Sequence, residues 1–291
     1  MRLLDGKVAL VTGAGGGLGR SHALLLAAHG AKVVVNDLGG ARDGTGTGMN
    51  MADSVVEEIQ SAGGDAVPDY GSVCDPADAT AMVQRAVDNF GRLDACICNA
   101  GILRDKSFKH MTPDLWDPVL DIHLKGTYLV SKAAYDHMLE RGGGGRIIVT
   151  SSTAGLIGNF GQTNYGAAKA GIAGFMRCLS REGIKYGITV NVLAPAAWSR
   201  MTEDLMQADM KERFAPDRVS PVAVWLCSDD ANDITGRQFC VGGNRVSMLS
   251  WQVDELARRD PAAATWTPSE IGEEIRASMD RWPKLLGPMD V

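Results

Sequence analysis

"KVALVTGAGGGLGR", Lys7 to Arg20, decides the fold. A β-branched apolar run meets a glycine-rich turn, and "RSHALLLAAHG" follows with apolar residues at helical spacing and a closing Gly30. In a parallel α/β sheet, a strand, a glycine turn and a helix place a dinucleotide pyrophosphate against the helix N-terminus. Gly13 then permits the tight turn. Gly17, with Leu18 beside it, lets the backbone approach phosphate without a Cβ. Gly19 allows close helix–strand packing. Gly15 and Gly16 fall at variable positions where side chains are expected to be tolerated. The spacing T-G-x-x-x-G-x-G departs from the G-x-G-x-x-G fingerprint, so the turn alone does not separate a phosphate cradle from a loose loop.

Outward from this stretch, short apolar runs alternate with helical patterns. "AKVVVND", "DAVPDYGSV", "LDACICNAG", "GRIIVTSS", "ITVNVLAP" and "RQFCVGG" are predicted strands. Asp75 caps a helix that has Pro76 in its first turn. The alternation predicts an α/β Rossmann-type fold: a doubly wound, seven-stranded, mostly parallel sheet with helices on both faces. Residues 1–249 form one domain. Residues 250–291 form a C-terminal tail with a helix over 268–282, opened by a capping box from Thr267 to Glu270. Ile271, Ile275 and Met279 share a face of that helix, so the tail is expected to dock on this subunit or a neighbour.

Composition narrows the function. The 291 residues are 45% hydrophobic and 22% charged, with a net charge of −6. That balance argues against a nucleic-acid or anionic-membrane surface. No apolar run reaches the length of a membrane span, and "MRLLDGKVALVTG" lacks a signal-peptide layout. The six cysteines are expected to be reduced, packed thiols and neither disulfides nor a metal site, which suits a cytoplasmic protein. The final "PMDV" does not match a peroxisomal address.

Two further features give the glycine turn its meaning. Asp37 ends the second strand, where a carboxylate accepts hydrogen bonds from adenosine ribose hydroxyls and repels a 2′-phosphate. This favours NAD over NADP, although Arg42 in the next loop could offset the repulsion. Tyr165 and Lys169 are spaced i, i+4, which places them on one helix face. An ammonium beside a phenol favours the phenolate, so Lys169 is expected to lower the Tyr165 pKa and fit it for proton exchange with a substrate oxygen. Ser152, just past the fifth strand, could hydrogen-bond the same oxygen.

"TGAGGGLG", "CNAG" at 98–101, Ser152 and "YGAAK" together resemble the short-chain dehydrogenase/reductase family over roughly residues 5–248. The resemblance implies an NAD(P)-dependent oxidoreductase, usually a homotetramer or homodimer. It implies that Tyr165 is the acid/base, and that Lys169 lowers its pKa and binds the nicotinamide ribose. Ser152 would orient the substrate oxygen. Asn99, Ala100 and Gly101 would support the central strand and touch the cofactor, Thr202 the carboxamide, and Ser72 and Val73 the adenine side. His123 stands where the family often has Asn, at a relay from the lysine to water, and a packing role is the alternative. Pro195-Ala196 replaces the usual Pro-Gly.

"VVVNDLGG", "NAGILRDKSF", "GNFGQTNY" and "SRMTE" are similar to one branch of the family, the dehydrogenase unit of peroxisomal multifunctional enzyme type 2, or 17β-hydroxysteroid dehydrogenase type 4. That branch implies oxidation of (3R)-3-hydroxyacyl-CoA, an acyl-CoA thioester, with a separate enoyl-CoA hydratase as an expected partner here. A steroid or other secondary-alcohol dehydrogenase is the alternative enzyme. A non-catalytic NAD-binding scaffold is the alternative of another class. Arg104, Lys106 and Lys109 are read as a solvated charged loop, with contact to CoA phosphates as the alternative.

Overall fold

The computed structural model describes residues 2–41, 43–46, 48, 50–197, 210–284, 286–287 and 290. Among these residues, eight strands form one sheet: β1 (Val8–Thr12), β2 (Lys32–Asn36), β3 (Ala66–Asp69), β4 (Ala95–Cys98), β5 (Gly145–Thr150), β6 (Ile188–Pro195), β7 (Gln238–Gly242) and β8 (Arg245–Leu249). Their order is β3-β2-β1-β4-β5-β6-β7-β8, parallel from β3 through β7. The chain winds outward from β1 to β3, then returns to lay β4 against the other side of β1. That reversal opens a crevice beyond the carboxyl ends of β1 and β4.

Both faces of the sheet are covered, which is why β1 is buried along its whole length. Ala9, Val11, Val33 and Val35 pack with Leu26 of α1 (Gly17–Ala28), Ile59 of α2 (Asn50–Ser61) and Ala223 of α8 (Ser220–Leu226). Val8, Leu10, Cys96 and Ile147 face the other way. They meet Met82 of α3 (Pro76–Phe90), Val130 of α5 (Gly126–Arg141) and Met176 of α7 (Thr163–Gly183). Asp75 caps α3 through the Ala77 and Asp78 N–H groups, and Gly91 closes it in the left-handed region.

The expected seven strands are eight. β8 is an antiparallel edge strand in register with β7. Its turn is Gly243-Asn244, both residues with positive φ (57° and 63°), the two-residue hairpin geometry that matches strand twist. "GGNR" carries that signal in the sequence.

The long stretch from 113 onward is also not one regular helix. α4 (Pro113–Leu120) passes through a π-helical turn at Asp121–Lys125 into α5. In the tail, α9 (Pro268–Ala277) is followed by a 3₁₀ turn at Met279–Arg281. The reciprocal Thr267–Glu270 capping bonds are present. No residue of α9 is buried, and Ile275 and Met279 are exposed. The six cysteines are free: four are buried, Cys74 is half-buried and Cys178 is exposed, so Cys178 departs from the packed thiols expected. No described helix is long and apolar enough to cross a membrane.

Between α1 and α8, buried His22 places Nδ1 2.8 Å from the Ser220 hydroxyl, which stands 2.7 Å from that of Ser21. Its Nε2 has no partner, and burial lowers its pKa to about 4 from 6.5. The folded state therefore holds this ring neutral, while the unfolded chain takes up a proton below 6.5. Stability from His22 is complete above pH 6.5 and is lost as pH falls toward 4. Chemical denaturation at pH 7 and pH 5 should show His22→Gln losing less stability than wild type between the two, by about 2 kcal/mol. Equal losses would mean that His22 does not titrate this way.

Candidate active site

The glycine turn begins where β1 ends. Gly13 and Gly17 hold positive φ values of 63° and 51°. A Cβ at Gly13 would stand 2.8 Å from the Ala100 Cα, and one at Gly19 only 2.1 Å from the Gly13 carbonyl oxygen. Both glycines are therefore required by close approach. Gly16, the N-cap of α1, makes no side-chain cap bond, so the first N–H groups of the helix remain available to an anion.

Asn99 fastens the turn to β4. Its side-chain amide donates to the Thr12 and Gly13 carbonyls, each at 3.1 Å. In return, Thr12 Oγ1 accepts the Asn99 and Ala100 N–H groups at 3.0 and 3.1 Å.

The cleft outside this junction is lined by Gly13, Gly17, Leu18, Asp37, Ser72, Val73, Asn99, Ala100 and Gly101 among others. Nine of the expected cofactor contacts are thus brought together. Gly19 instead packs behind the turn, and Thr202 lies outside the described residues, as does Arg42. The Asp37 carboxylate accepts the Gly15 N–H at 2.8 Å and the Gly39 N–H at 2.7 Å. Gly15 is therefore not the tolerant position expected. A Cβ there would meet the Asp37 carboxylate at 2.8 Å and the Met51 Cβ at 2.7 Å. Ser72 accepts the Cys74 N–H at 3.2 Å, shaping the floor on which Val73 sits.

At the far end of the cleft, Ile102 and Ile122 line its wall and pack with Tyr165. Ser152, which caps α6 (Thr153–Leu156) by accepting the Ala154 N–H at 3.2 Å, lies close enough to the Tyr165 hydroxyl to favour its phenolate. Lys169, one helical turn on, is buried with Nζ 5.5 Å from the Tyr165 ring centroid and donates to the Thr150 carbonyl at 2.6 Å.

The expected lowering of the phenol is not found in this arrangement. Burial pushes Tyr165 up to about 12, against the downward pull of Ser152. Burial also brings Lys169 down to about 7. Desolvation disfavours both charged forms, and a lysine whose close partner is a neutral carbonyl is poorly held as a cation.

His123 lies on the π-helical turn, buried, with its ring edge-on to Tyr165 at 5.1 Å between centroids. Nε2 stands 2.8 Å from the Ile102 carbonyl oxygen and 3.1 Å from its amide nitrogen, and Nδ1 is buried without a partner. Burial first, then the Lys169 charge, holds its pKa well below the usual range, so the ring is neutral. A Cβ at Gly101 would stand 2.1 Å from that ring, so Gly101 seats His123 as well as lining the cleft.

Sequence reasoning missed Asn164. It is fully buried, donates to the Arg104 and Leu115 carbonyls at 2.9 Å each, and accepts the Tyr165 N–H at 2.8 Å. Its one sequence signal is adjacency to the tyrosine.

The family described as short chain dehydrogenase matches residues 7–211. A peroxisomal multifunctional enzyme type 2 of Mus musculus is 47% identical over 248 residues, covering 85% of this chain and 33% of that protein. This chain thus spans a third of that relative, and 55% or less of the multifunctional enzymes it matches. A hydroxyacyl-CoA dehydrogenase of Mycobacterium tuberculosis is 38% identical, covering 94% of this chain and 88% of that one. A solved short chain dehydrogenase from Mycobacterium avium superposes with a TM-score of 0.85 at 42% identity, over 98% of each chain.

The turn geometry orders three substitutions. Titration with dinucleotide should find Gly16→Ala close to wild type, because the extended backbone at Gly16 is open to any residue. Gly17→Val and Gly15→Ala should each weaken binding by about tenfold or more, the first by strained φ and the second by displacing Asp37. Equal affinities across all three would refute this account of the turn.

Proposed function

This chain belongs to the short-chain dehydrogenase/reductase family, and we propose that it is an NAD-dependent dehydrogenase of (3R)-3-hydroxyacyl-CoA thioesters. In this reading it produces 3-ketoacyl-CoA in fatty-acyl or steroid side-chain β-oxidation. The observation that carries the proposal is a cleft lined by a glycine cradle and Asp37, whose Ile102 and Ile122 pack with Tyr165 beside Ser152 and Lys169. The names of the multifunctional and hydroxyacyl-CoA dehydrogenase relatives support the thioester substrate.

The residues present fit a nicotinamide dinucleotide. The uncapped N-terminus of α1 and the Gly13–Gly17 backbone would take its pyrophosphate, and Asp37 the adenosine ribose, with Ser72 and Val73 toward the adenine. Asp37 keeps lone pairs beyond its two backbone bonds, and its charge opposes a 2′-phosphate, which favours NAD over NADP. When bound, the nicotinamide supplies the acceptor for the hydride leaving C3 of the substrate.

Ser152 hydrogen-bonds the substrate oxygen, and Tyr165 takes its proton on oxidation or returns it on reduction. With the phenol near 12, the proton-donating form dominates at neutral pH. Oxidation therefore gains from every influence that favours phenolate: the Ser152 hydroxyl, a cationic Lys169 and rising pH. This reading keeps His123 as a relay residue from Lys169 or a packing residue against Tyr165, and its neutral, low-pKa ring favours packing. The reading includes Thr202 at the carboxamide, a homodimer or homotetramer, a cytoplasmic setting and a separate enoyl-CoA hydratase that supplies the hydroxy thioester.

Tyr165→Phe should lower kcat for (3R)-3-hydroxybutyryl-CoA oxidation by about 10³-fold while NADH titration finds dinucleotide affinity within about twofold of wild type. Turnover equal to wild type would sink the mechanism. The pH profile checks the tuning. Oxidation should accelerate with pH, and Ser152→Ala should move that rise to higher pH, because removing the hydroxyl leaves burial less opposed. A profile that falls in amplitude without moving would mean that Ser152 does not tune the phenol.

A further inference from the structure

The connection from β2 to α2 lies along the open side of the cleft, where Leu38, Gly40, Ala41 and Gly44 join its lining. Its described part is a preformed turn. Ala41 and Thr45 pair through a 2.7 Å backbone bond, and the Asp43 carboxylate accepts the Thr45 N–H and hydroxyl at 3.0 and 2.7 Å. Its base is tied by the Gly48 N–H donating to the Leu38 carbonyl.

The tip meets the rest of the molecule at Arg104. Arg104 Nε donates to the Asp43 carbonyl at 2.9 Å, and the same guanidinium donates through Nη1 to the Asp114 carbonyl of α4 at 2.8 Å. Ile102, two residues before Arg104, packs near Gly44, where a Cβ would stand 3.2 Å from its side chain. The backbone of Arg104 is held in turn, because its carbonyl accepts from the buried Asn164 that also receives the Tyr165 N–H. Arg104 thus reaches from the segment supporting the tyrosine to the loop over the adenosine side. Two of the five guanidinium N–H groups are thus engaged within the fold.

We propose that Arg104 is a positioning residue for the dinucleotide: its two-carbonyl bridge straps the described part of the connection, residues 39–41 and 43–46, along the cleft and sets how tightly the adenosine half is enclosed. A guanidinium suits the task because it spans two carbonyls with fixed geometry, whereas an ammonium reaches one well. The proposal rests on the cleft's being a dinucleotide site, and one arm of its test is independent of that reading.

Hydrogen–deuterium exchange of the nucleotide-free protein, together with NADH titration by fluorescence, would be compared in wild type, Arg104→Lys and Arg104→Ala. Arg104→Ala should speed exchange across 39–48 while leaving β1 and β4 protected. It should raise the NADH dissociation constant by about tenfold, and raise KM for NAD by a larger factor than it lowers kcat. Arg104→Lys should fall between the two. Unchanged exchange across 39–48 in both variants would overturn the strap. So would faster exchange there with NADH affinity equal to wild type. If wild type itself bound no dinucleotide, the cofactor reading would fail, and the exchange arm would still decide whether Arg104 holds the loop. Should Arg104→Ala fail to fold, Arg104→Lys alone decides, by the same two measurements.

Discussion

The site depends on a close backbone contact between two strands that are far apart in sequence. Where β1 ends, the turn carries Gly13 against Ala100, and no Cβ fits between them. Four hydrogen bonds between Thr12–Gly13 and Asn99–Ala100 hold that contact closed. With this junction fixed, the N-terminus of α1 faces the crevice, Asp37 can reach the Gly15 N–H, and residues 99–102 line the cleft wall. A sheet without the stitch would keep its core, since both faces are packed independently of it. It would lose the geometry that turns a strand end into an anion cradle.

Around Tyr165, burial does what hydrogen bonding does at the turn. Tyr165, Lys169 and His123 sit together in apolar surroundings with Ile102, Ile122 and Leu124. All three are driven toward neutral forms: the phenol upward, the ammonium and imidazole downward. An assembly of this kind is sensitive to a single added charge, because little inside screens it. The i, i+4 spacing correctly placed lysine and tyrosine on one face. The direction of the phenol's shift was not contained in that spacing, since it depends on how much water the surrounding helices exclude.

That contrast marks what was legible in the sequence. Alternation of apolar strands and amphipathic helices, glycine stops and the Asp75 and Thr267 caps are local signals, and they sufficed for the winding of the sheet. The eighth strand was also written locally, in Gly243-Asn244, but an edge strand with exposed Val246 and Met248 lacks the apolar run that marks its neighbours. Gly15 looks tolerant in the sequence for a different reason. Its intolerance comes from Asp37 and Met51, which are brought against it by the fold and by no rule of spacing. Asn164 and Arg104 belong to the same class. Their importance lies in backbone carbonyls that they join across the chain, and a carbonyl has no sequence signature.

The position of His123 shows how two such non-local requirements interlock. Between α4 and α5 the helix widens into a π turn over Asp121–Lys125, which slips the register of every side chain that follows. On that turn His123 is carried inward until its Nε2 reaches the Ile102 backbone and its ring meets Tyr165 edge-on. The space it enters exists because residue 101 is glycine, as a Cβ there would lie 2.1 Å from the ring. A methyl at 101 with the π turn retained would force the imidazole against the cleft wall. Together the π turn and the glycine place a neutral, half-paired imidazole beside the candidate acid/base.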